Sequence, residues 1–512
     1  MNSAADLVLR NGEVHTLADP DETADAVAVR DGRIVDVATD YESQFRIGVE
    51  TTVVDLAGRV LLPGFVDAHT HMQQLGQYQV HADLSGTTDL EEALDRLRSN
   101  AAPDHEWILG FGYDESDWTD ERRYPTREDL DAVATDRPVA AFRVDMHSAS
   151  LNSLALDRLA DGLPAEDVRT DAGEPTGVVV EEAAEVVWEA VAPDRKETHS
   201  LLEAAMEYAN ERGVTAVHDM VRQSHAPRAY RDMDAAGDLS LRVRLNYWAD
   251  HLDAVRELGL RPGHGSAFVQ VGAIKSYSDG SIGSRTAKLT EPYADDPGST
   301  GNWVVPPAEI GSLATSASEA DQQLAVHAIG DAAIDEVLGA FERIDDPAAR
   351  HRIEHAELID DGTIDRMESA GVVASVQPNF HRWARPDGLY DQRLGPDRRR
   401  RSNPLRKLAD SDVPLAFGSD CMPLDPLYGI DQAVTAPTEA QRLTVTEALR
   451  AYTWGGAYAA FDEDRMGTIE PGKLADFVVL EDSPWERPAA VADIDVAMTV
   501  VDGTVVYDGR QD

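Results

Sequence analysis

Two histidines spaced two apart, His69 and His71, close the apolar run LLPGFVDAHTHM at residues 61–72. Side chains of an extended strand alternate faces, so residues i and i+2 point the same way and this pair can grip one ion. Lys275, His327, His355 and Asp420 follow, each beside or inside a strand-like stretch. Imidazole nitrogen and carboxylate oxygen suit zinc, and also iron, manganese or nickel, so the set reads as the parts of a two-metal hydrolase. An ammonium is a poor ligand, but a lysine carbamylated by carbon dioxide is an anionic carboxylate able to bridge two cations. The chain has only five lysines in 512 residues, and Lys275 closes the strand-like run Phe268-Val269-Gln270-Val271-Gly272-Ala273-Ile274. A lone histidine is more often a hydrogen-bonded structural residue than a ligand. His218, which ends the run Val214-Thr215-Ala216-Val217, is read that way, and Cys421, the single cysteine, is read as packing rather than catalysis.

The elements that must carry these residues are legible in outline. Residues 61–68 are too apolar for a surface loop, and Pro63-Gly64 marks a sharp entry into a buried strand. His327 ends Leu324-Ala325-Val326, His355 follows Arg352-Ile353-Glu354, and Asp420 follows Pro414-Leu415-Ala416-Phe417-Gly418-Ser419. Ligands at the C-terminal ends of strands are the arrangement of a (β/α)8 barrel. Thr88-x-x-Glu91 and Ser200-x-x-Glu203 read as helix-opening capping boxes, and the alternation of helix and strand periods is that of a parallel barrel. About ten strand-like runs lie between residues 65 and 420, two more than a barrel needs. Either Trp107-Ile108-Leu109-Gly110-Phe111 or Val139-Ala140-Ala141-Phe142-Arg143 belongs to an insertion. Residues 146–200, acidic and broken by Pro164, Pro175 and Gly177, look like an inserted lid or small subdomain rather than core. Residues 1–63 and 466–512 share a texture of short strands with Asn-Gly and Asp-Gly turns. The expected architecture is therefore an α/β chain: a (β/α)8 TIM barrel over residues 64–465, with an insertion near 146–200, and a smaller discontinuous β-sandwich built from both termini.

Composition excludes several classes. Ninety-four acidic against 46 basic side chains give a net charge of −48, and the acids are dispersed through every segment. Charge so large and so spread reads as adaptation to molar salt, where self-repulsion is screened over a few ångströms. Nucleic acid would be repelled. No stretch approaches the roughly 20 apolar residues of a membrane span, and the first residues lack a basic and apolar leader pattern. The expectation is the cytoplasm of a halophile, with a small-molecule substrate and neither nucleic acid nor membrane as partner.

The motifs resemble the amidohydrolase superfamily, in particular its N-substituted formamide deformylase-like branch of metal-dependent hydrolases. The resemblance runs along nearly the whole chain. It is carried by LLPGFVDAHTHM, by Met146-His147-Ser148-Ala149 through Asn152-Ser153-Leu154-Ala155-Leu156, and by Lys275-Ser276-Tyr277-Ser278-Asp279-Gly280-Ser281. Arg285-Thr286-Ala287, His327-Ala328-Ile329-Gly330-Asp331, Ile353-Glu354-His355-Ala356 and Gly418-Ser419-Asp420 complete it. The resemblance implies a binuclear site, with His69 and His71 on one divalent ion, His327 and His355 on the other, and a carbamylated Lys275 bridging. Zinc is the expected metal. Asp420 would be the remaining ligand and the general base. A homodimer also rests on the resemblance alone.

The reaction expected is cleavage of a non-peptide carbon–nitrogen bond, an amide or formamide, by a metal-activated hydroxide. Asp420 would take the proton of that water. The second ion, or a donor such as His147 or His381, would polarise the scissile carbonyl. Loops after barrel strands line the pocket, which makes Asp114, Trp118, Asn152, Asp279, Arg285 and His381 candidates for substrate contact. Arg285 suits a substrate carboxylate, but in so acidic a chain it serves equally to hold a structural acid. Heterocycle deamination is disfavoured, because the deaminase branch places a glutamate three residues after the third histidine and here that residue is Gly330. Lactone or ester hydrolysis uses the same centre and stays open. A non-catalytic scaffold of the same fold would have lost a ligand, and the set is complete.

Overall fold

The computed structural model describes residues 4–101, 106–119, 121–144 and 147–511. The chain divides into two compact units: Met1–His71 with Met206–Asp512, and Met72–Ala205. Among the described residues no helix is long and apolar enough to cross a membrane.

The larger unit contains an eight-stranded sheet, all of whose neighbours run parallel. In chain order the strands are β1 (Phe65–Thr70), β2 (Val214–Val221), β3 (Arg242–Trp248), β4 (Val269–Tyr277), β5 (Leu324–Ala328), β6 (Arg352–His355), β7 (Val373–Val376) and β8 (Leu415–Phe417). Just past β8, the Asp420 amide donates to His69 O (2.7 Å) and the Ser419 amide to Asp67 Oδ1 (3.0 Å). The last strand thus returns to the first, and the sheet is the (β/α)8 barrel expected. The backbones meet closely there: a Cβ on Gly418 would lie 2.5 Å from His69 N, so only glycine admits the approach. β1 is buried at every position, as a strand covered on both faces must be. The helix Asp331–Ile344 between β5 and β6 buries Ala333, Ile334, Val337, Leu338 and Phe341, an apolar stripe at helical spacing.

Two further sheets in this unit share one core. A four-stranded sheet is made by Arg33–Ala38, Ala26–Arg30, Leu7–Arg10 and Thr52–Asp55. A six-stranded sheet joins Val60–Pro63 to Phe477–Leu480 and Val496–Val501. Leu7, Leu9, Val27 and Val29 from the first pack with Leu61, Phe477, Val479 and Val500 from the second. Both chain ends therefore contribute to one apolar core between two β-sheets.

The smaller unit holds a six-stranded mixed sheet in the order Val168–Asp171, Glu174–Val180, Ser148–Leu151, Val139–Arg143, Ile108–Tyr113, Ala82–Asp83. Both surplus strands of the sequence reading lie here, and the separate unit is wider than the expected insertion near 146–200. Its first strands are parallel and its helices amphipathic, so the texture matches a barrel's until Ser148–Leu151 pairs antiparallel with Val139–Arg143. The helix caps also shift. Leu90–Ser99 is capped by Asp89, whose side chain accepts from the Glu92 amide, and Thr88 bonds Glu92 from outside. The helix Arg195–Glu211 begins five residues before Ser200, where Asp194 accepts from the Lys196 and Glu197 amides.

Candidate metal centre

His69 is the last residue but one of β1 and His71 follows the strand; one nitrogen of each and a carboxylate oxygen of Asp420 all lie within 4.8 Å of one another. Asp420 Oδ1 is 3.7 Å from His69 Nε2 and 3.3 Å from His71 Nε2. His355, at the end of β6, stands near both His69 and His327, its ring centroid 5.0 Å from the first and 4.5 Å from the second. Lys275 in β4 is wholly buried. The six residues expected as ligands thus converge at the C-terminal rim of one barrel.

The hydrogen bonds orient the rings. His69 Nδ1 donates to Glu354 Oε2 (2.5 Å), His355 Nδ1 to Gln377 Oε1 (2.6 Å) and His327 Nε2 to Gly280 O (3.0 Å). Each ring keeps its other nitrogen unprotonated, which is the form that ligates a metal. Burial, the largest effect, pushes the pKa of His69, His327 and His355 well below that of free imidazole, and the Lys275 charge acts in the same direction. They are neutral, as ligands must be. Burial opposes the charge of His71 as well, but the hydrogen bond and charge of Asp420 outweigh it and raise its pKa. Asp420 is held below the usual carboxylate range: burial opposes its charge, and His71, His69 and Lys275 together overcome that.

Lys275 carries the most telling atom. Its Nζ is buried without a hydrogen-bond partner, 4.6 Å from the Tyr277 ring centroid and 6.0 Å from that of Trp248. Burial pushes its pKa down to about 8, against the pull of Glu354 and Asp420. An orphaned, easily neutralised amine among imidazoles and carboxylates is a poor structural residue and a good nucleophile for carbon dioxide. Donor chemistry and orphan together fit a divalent-metal centre.

Two ligand candidates hold left-handed backbone, His355 at φ 72° and Asp420 at φ 55°. Such angles cost a non-glycine residue free energy and gather at functional sites. At His355 the effect is specific. In an extended strand Arg352 and Glu354 would face the barrel interior and His355 the outside; the turn at its φ brings His355 inward as well. Glu354 is therefore a site residue that the sequence reading did not include. So is Arg352, which donates to Glu354 (2.7 and 3.1 Å), His218 Nδ1 (2.8 Å), Ala68 O (2.6 Å) and Ser375 Oγ (3.0 Å). The available signal was Arg-x-Glu inside an apolar strand. His218 has the structural role expected of it.

The substrate-contact candidates are committed to internal bonds. Buried Asp279 accepts from the amides of Ile329 (3.1 Å), Gly330 (2.9 Å) and Lys288 (2.7 Å), tying the loop after β4 to that after β5; burial raises its pKa to about 6. Arg285 pairs with Asp295 (2.8 Å), the structural alternative named for it. His381 is buried with ring nitrogens 3.3 and 3.4 Å from the carbonyls of Gln432 and Asn403. The other three, and the candidate donor His147, lie in the smaller unit. Asp114 pairs with Arg143 (3.1 Å), and Trp118 is buried with Nε1 donating to Thr87 Oγ1 (3.1 Å). Asn152 caps the helix Ser153–Leu159 and spends its amide on Ala134 O and Arg137 O, a scaffold role that leaves no polar atom for a ligand. His147 is exposed, 3.7 Å from Glu181 Oε2.

A barrel rim with this donor set defines a metal-dependent hydrolase. The chain belongs to the amidohydrolase family, whose pattern matches residues 52–507. It is 32% identical to the Bacillus subtilis protein YtcJ, over 98% of this chain and 99% of that one. It is 28% identical to an N-substituted formamide deformylase of Arthrobacter pascens, over 99% of both chains. Among solved structures it resembles an uncharacterized metal-dependent hydrolase of Pyrococcus furiosus, with a TM-score of 0.81, 31% identity, and coverage of 94% of this chain and 99% of that one.

Proposed function

We propose that this amidohydrolase cleaves the carbon–nitrogen bond of small non-peptide amides, with N-substituted formamides as the first substrate class to test. The reading is carried by the convergence of His69, His71 and Asp420 with neutral His327 and His355 around the orphaned Lys275 Nζ. The likeness to the Arthrobacter deformylase supports the formamide class. His69 and His71 would hold one divalent ion and His327 and His355 a second, with Lys275 as carbamate between them. Zinc, when bound, supplies a Lewis acid for the carbonyl and makes water a stronger acid.

Asp420 does the proton work. Its carboxylate stays ionised beside His71, so Oδ1 can take a proton from the attacking water and hand it to the leaving nitrogen. A formamide then yields formate and an amine. Glu354 and Gln377 fix the rings of His69 and His355 so that neither turns during turnover.

Deamination is disfavoured on steric grounds too. A Cβ at Gly330 would lie 1.9 Å from Lys288 O, so the position that would need a glutamate has no room for any side chain. Ester or lactone hydrolysis is the second reading, since it needs the same carbonyl chemistry. The deciding experiment screens N-substituted formamides, N-acyl amino acids, cyclic amides and lactones with zinc-loaded protein in high salt, which the net charge of −48 calls for. Turnover of formamides or other amides is expected; turnover of lactones alone would overturn the proposal.

A further inference from the structure

Arg222, the residue after β2, stands on the same C-terminal rim as the metal centre. His218, four residues earlier, faces the barrel interior, where it meets Arg352, and strand alternation carries Arg222 to the same side. The register pairs Val221 with Tyr247 and Trp248 with Lys275, so Arg222 falls beside Trp248, and Trp248 beside the orphaned amine. The side chains follow the register. The guanidinium carbon of Arg222 lies 5.1 Å from the Trp248 ring centroid, and Lys275 Nζ lies 6.0 Å from the same centroid. Tyr277 continues the wall, its ring 4.9 Å from that of Trp248 and 4.8 Å from that of His327. Burial pushes the Tyr277 phenol up to about 12, and of the charges that act on it one is Asp420 and the other Arg222. An aromatic wall thus runs from a proposed metal ligand to a cation.

The cation is poorly engaged by the protein. Arg222 is more than half exposed, and its ion pair to Asp250 is loose: Nε is 3.6 Å from a carboxylate that is itself half exposed, a pairing that contributes little in water. Among the described residues the guanidinium makes no hydrogen bond. Arg285, considered above for a substrate carboxylate, instead spends two hydrogen bonds on Asp295, 3.1 and 2.8 Å. Stacking on Trp248 holds the Arg222 guanidinium in place without using its N–H donors. Molar salt screens charges within about 3 Å, so the field of so acidic a chain neither repels nor steers an anion from afar, and direct contact decides which substrate is held.

Resting on the amide-hydrolase reading above, we propose that the substrate is an anion. Its scissile amide lies at the metal centre, an apolar, ring-sized segment of its amine portion lies against Trp248 and Tyr277, and a carboxylate pairs with the Arg222 guanidinium. The planar fork matches a carboxylate through two parallel N–H···O bonds. Arg222 sets specificity and takes no part in bond breaking; a formamide of this kind still yields formate and an amine, here one that carries the carboxylate.

The test compares two formamides of one shape and different charge, N-(4-carboxybenzyl)formamide and N-(4-methylbenzyl)formamide, with zinc-loaded protein in molar potassium chloride. The carboxylate compound should have a KM about 10–100-fold lower at similar kcat, since the contact is made equally before and during bond breaking. In Arg222→Gln, an exposed substitution that should fold, the preference is expected to drop to within a few-fold of one. Arg222→Lys should keep only part of it, because an ammonium retains the charge and loses the fork. Calorimetric binding of 4-methylbenzoate to the metal-free protein gives a readout independent of turnover, and Arg222→Gln should weaken it by a similar factor. Equal KM for the two formamides in the wild type, or benzoate binding indifferent to Arg222→Gln, would overturn the inference. Turnover of the neutral formamide alone would leave the hydrolase reading standing and defeat this one; benzoate binding through Arg222 with turnover of neither compound would do the reverse.

Discussion

Glu354 Oε2 lies 2.5 Å from His69 Nδ1, and the same carboxylate is gripped through both oxygens by Arg352. A residue one position before a proposed ligand on β6 thus fixes the ring of a proposed ligand on β1. Glu354→Gln should weaken zinc binding about 10–100-fold, the usual cost of losing such an orienting partner. It should also destabilise the metal-free protein by about 3–5 kcal/mol, because Arg352 loses its countercharge in a buried site. Zinc titration and urea unfolding read the two effects separately; unchanged zinc affinity would mean that Glu354 serves only Arg352.

Lys275→Met tests the orphaned amine. The thioether chain fills the same space without a charge to desolvate, so the metal-free variant should melt no lower than the wild type. Elemental analysis after zinc and bicarbonate loading should find one bound ion fewer. Equal metal content in the two proteins would refute a bridging role.

Asp420→Asn keeps the shape of the side chain and removes its basicity. The expected loss is about 10²–10⁴-fold in kcat, typical for a general base, with a smaller change in KM. A kcat within a few-fold of wild type would move the proton transfer to another group.

Gly418→Ala places a methyl group 2.5 Å from His69 N, where β8 meets β1. Backbone must give way, at a cost of about 1–3 kcal/mol or more. The same shift moves His69 and Asp420 apart, so zinc affinity should fall together with melting temperature. Loss of stability with zinc affinity intact would argue that the seam and the metal centre are mechanically independent.

His351 supplies a pH signature. It is buried against Phe341, its Nδ1 accepts from the Leu324 amide (3.1 Å), and burial pushes its pKa from 6.5 to about 4. The folded chain then binds this proton less readily than the unfolded chain. Its contribution, roughly 3 kcal/mol, is fully present above about pH 6.5 and is lost as pH falls toward 4. Between about pH 7 and about pH 5 the wild type should therefore lose more unfolding free energy than His351→Gln at matched salt. Parallel losses would mean that His351 is solvated or already charged.

The proposed ligands could be singled out because metal chemistry leaves few choices of residue, and because each stands at or near the end of an apolar run. Lys275 could be singled out only because lysine is so scarce in this chain. Glu354 and Arg352 were hidden by the opposite circumstance: a charged pair beside a histidine looks like solvent-facing decoration until the φ of His355 is known. The extent of the smaller unit is not legible in the sequence, because parallel strands with amphipathic helices have one texture wherever they pack. Thr88 and Ser200 looked like caps because their spacing to glutamate was right, yet Asp89 and Asp194 outcompeted them. Asn152, Asp279 and Arg285 were expected at the substrate, but an Asn or Asp flanking a helix or loop is as often spent on backbone amides.

β1 has no neighbour close to it in sequence. Its two partners begin at Val214 on one side and reach Asp420 on the other, since the smaller unit separates it from β2 and the rest of the barrel from β8. Strands β2 to β8 can pair each with the next along the chain, whereas β1 must close two long loops before any hydrogen bond rewards it. The strand that bears His69 is thus the costliest to dock entropically, and the metal centre is completed only when the slowest contacts of the barrel have formed. Zinc binding would accordingly report the end of folding rather than its beginning.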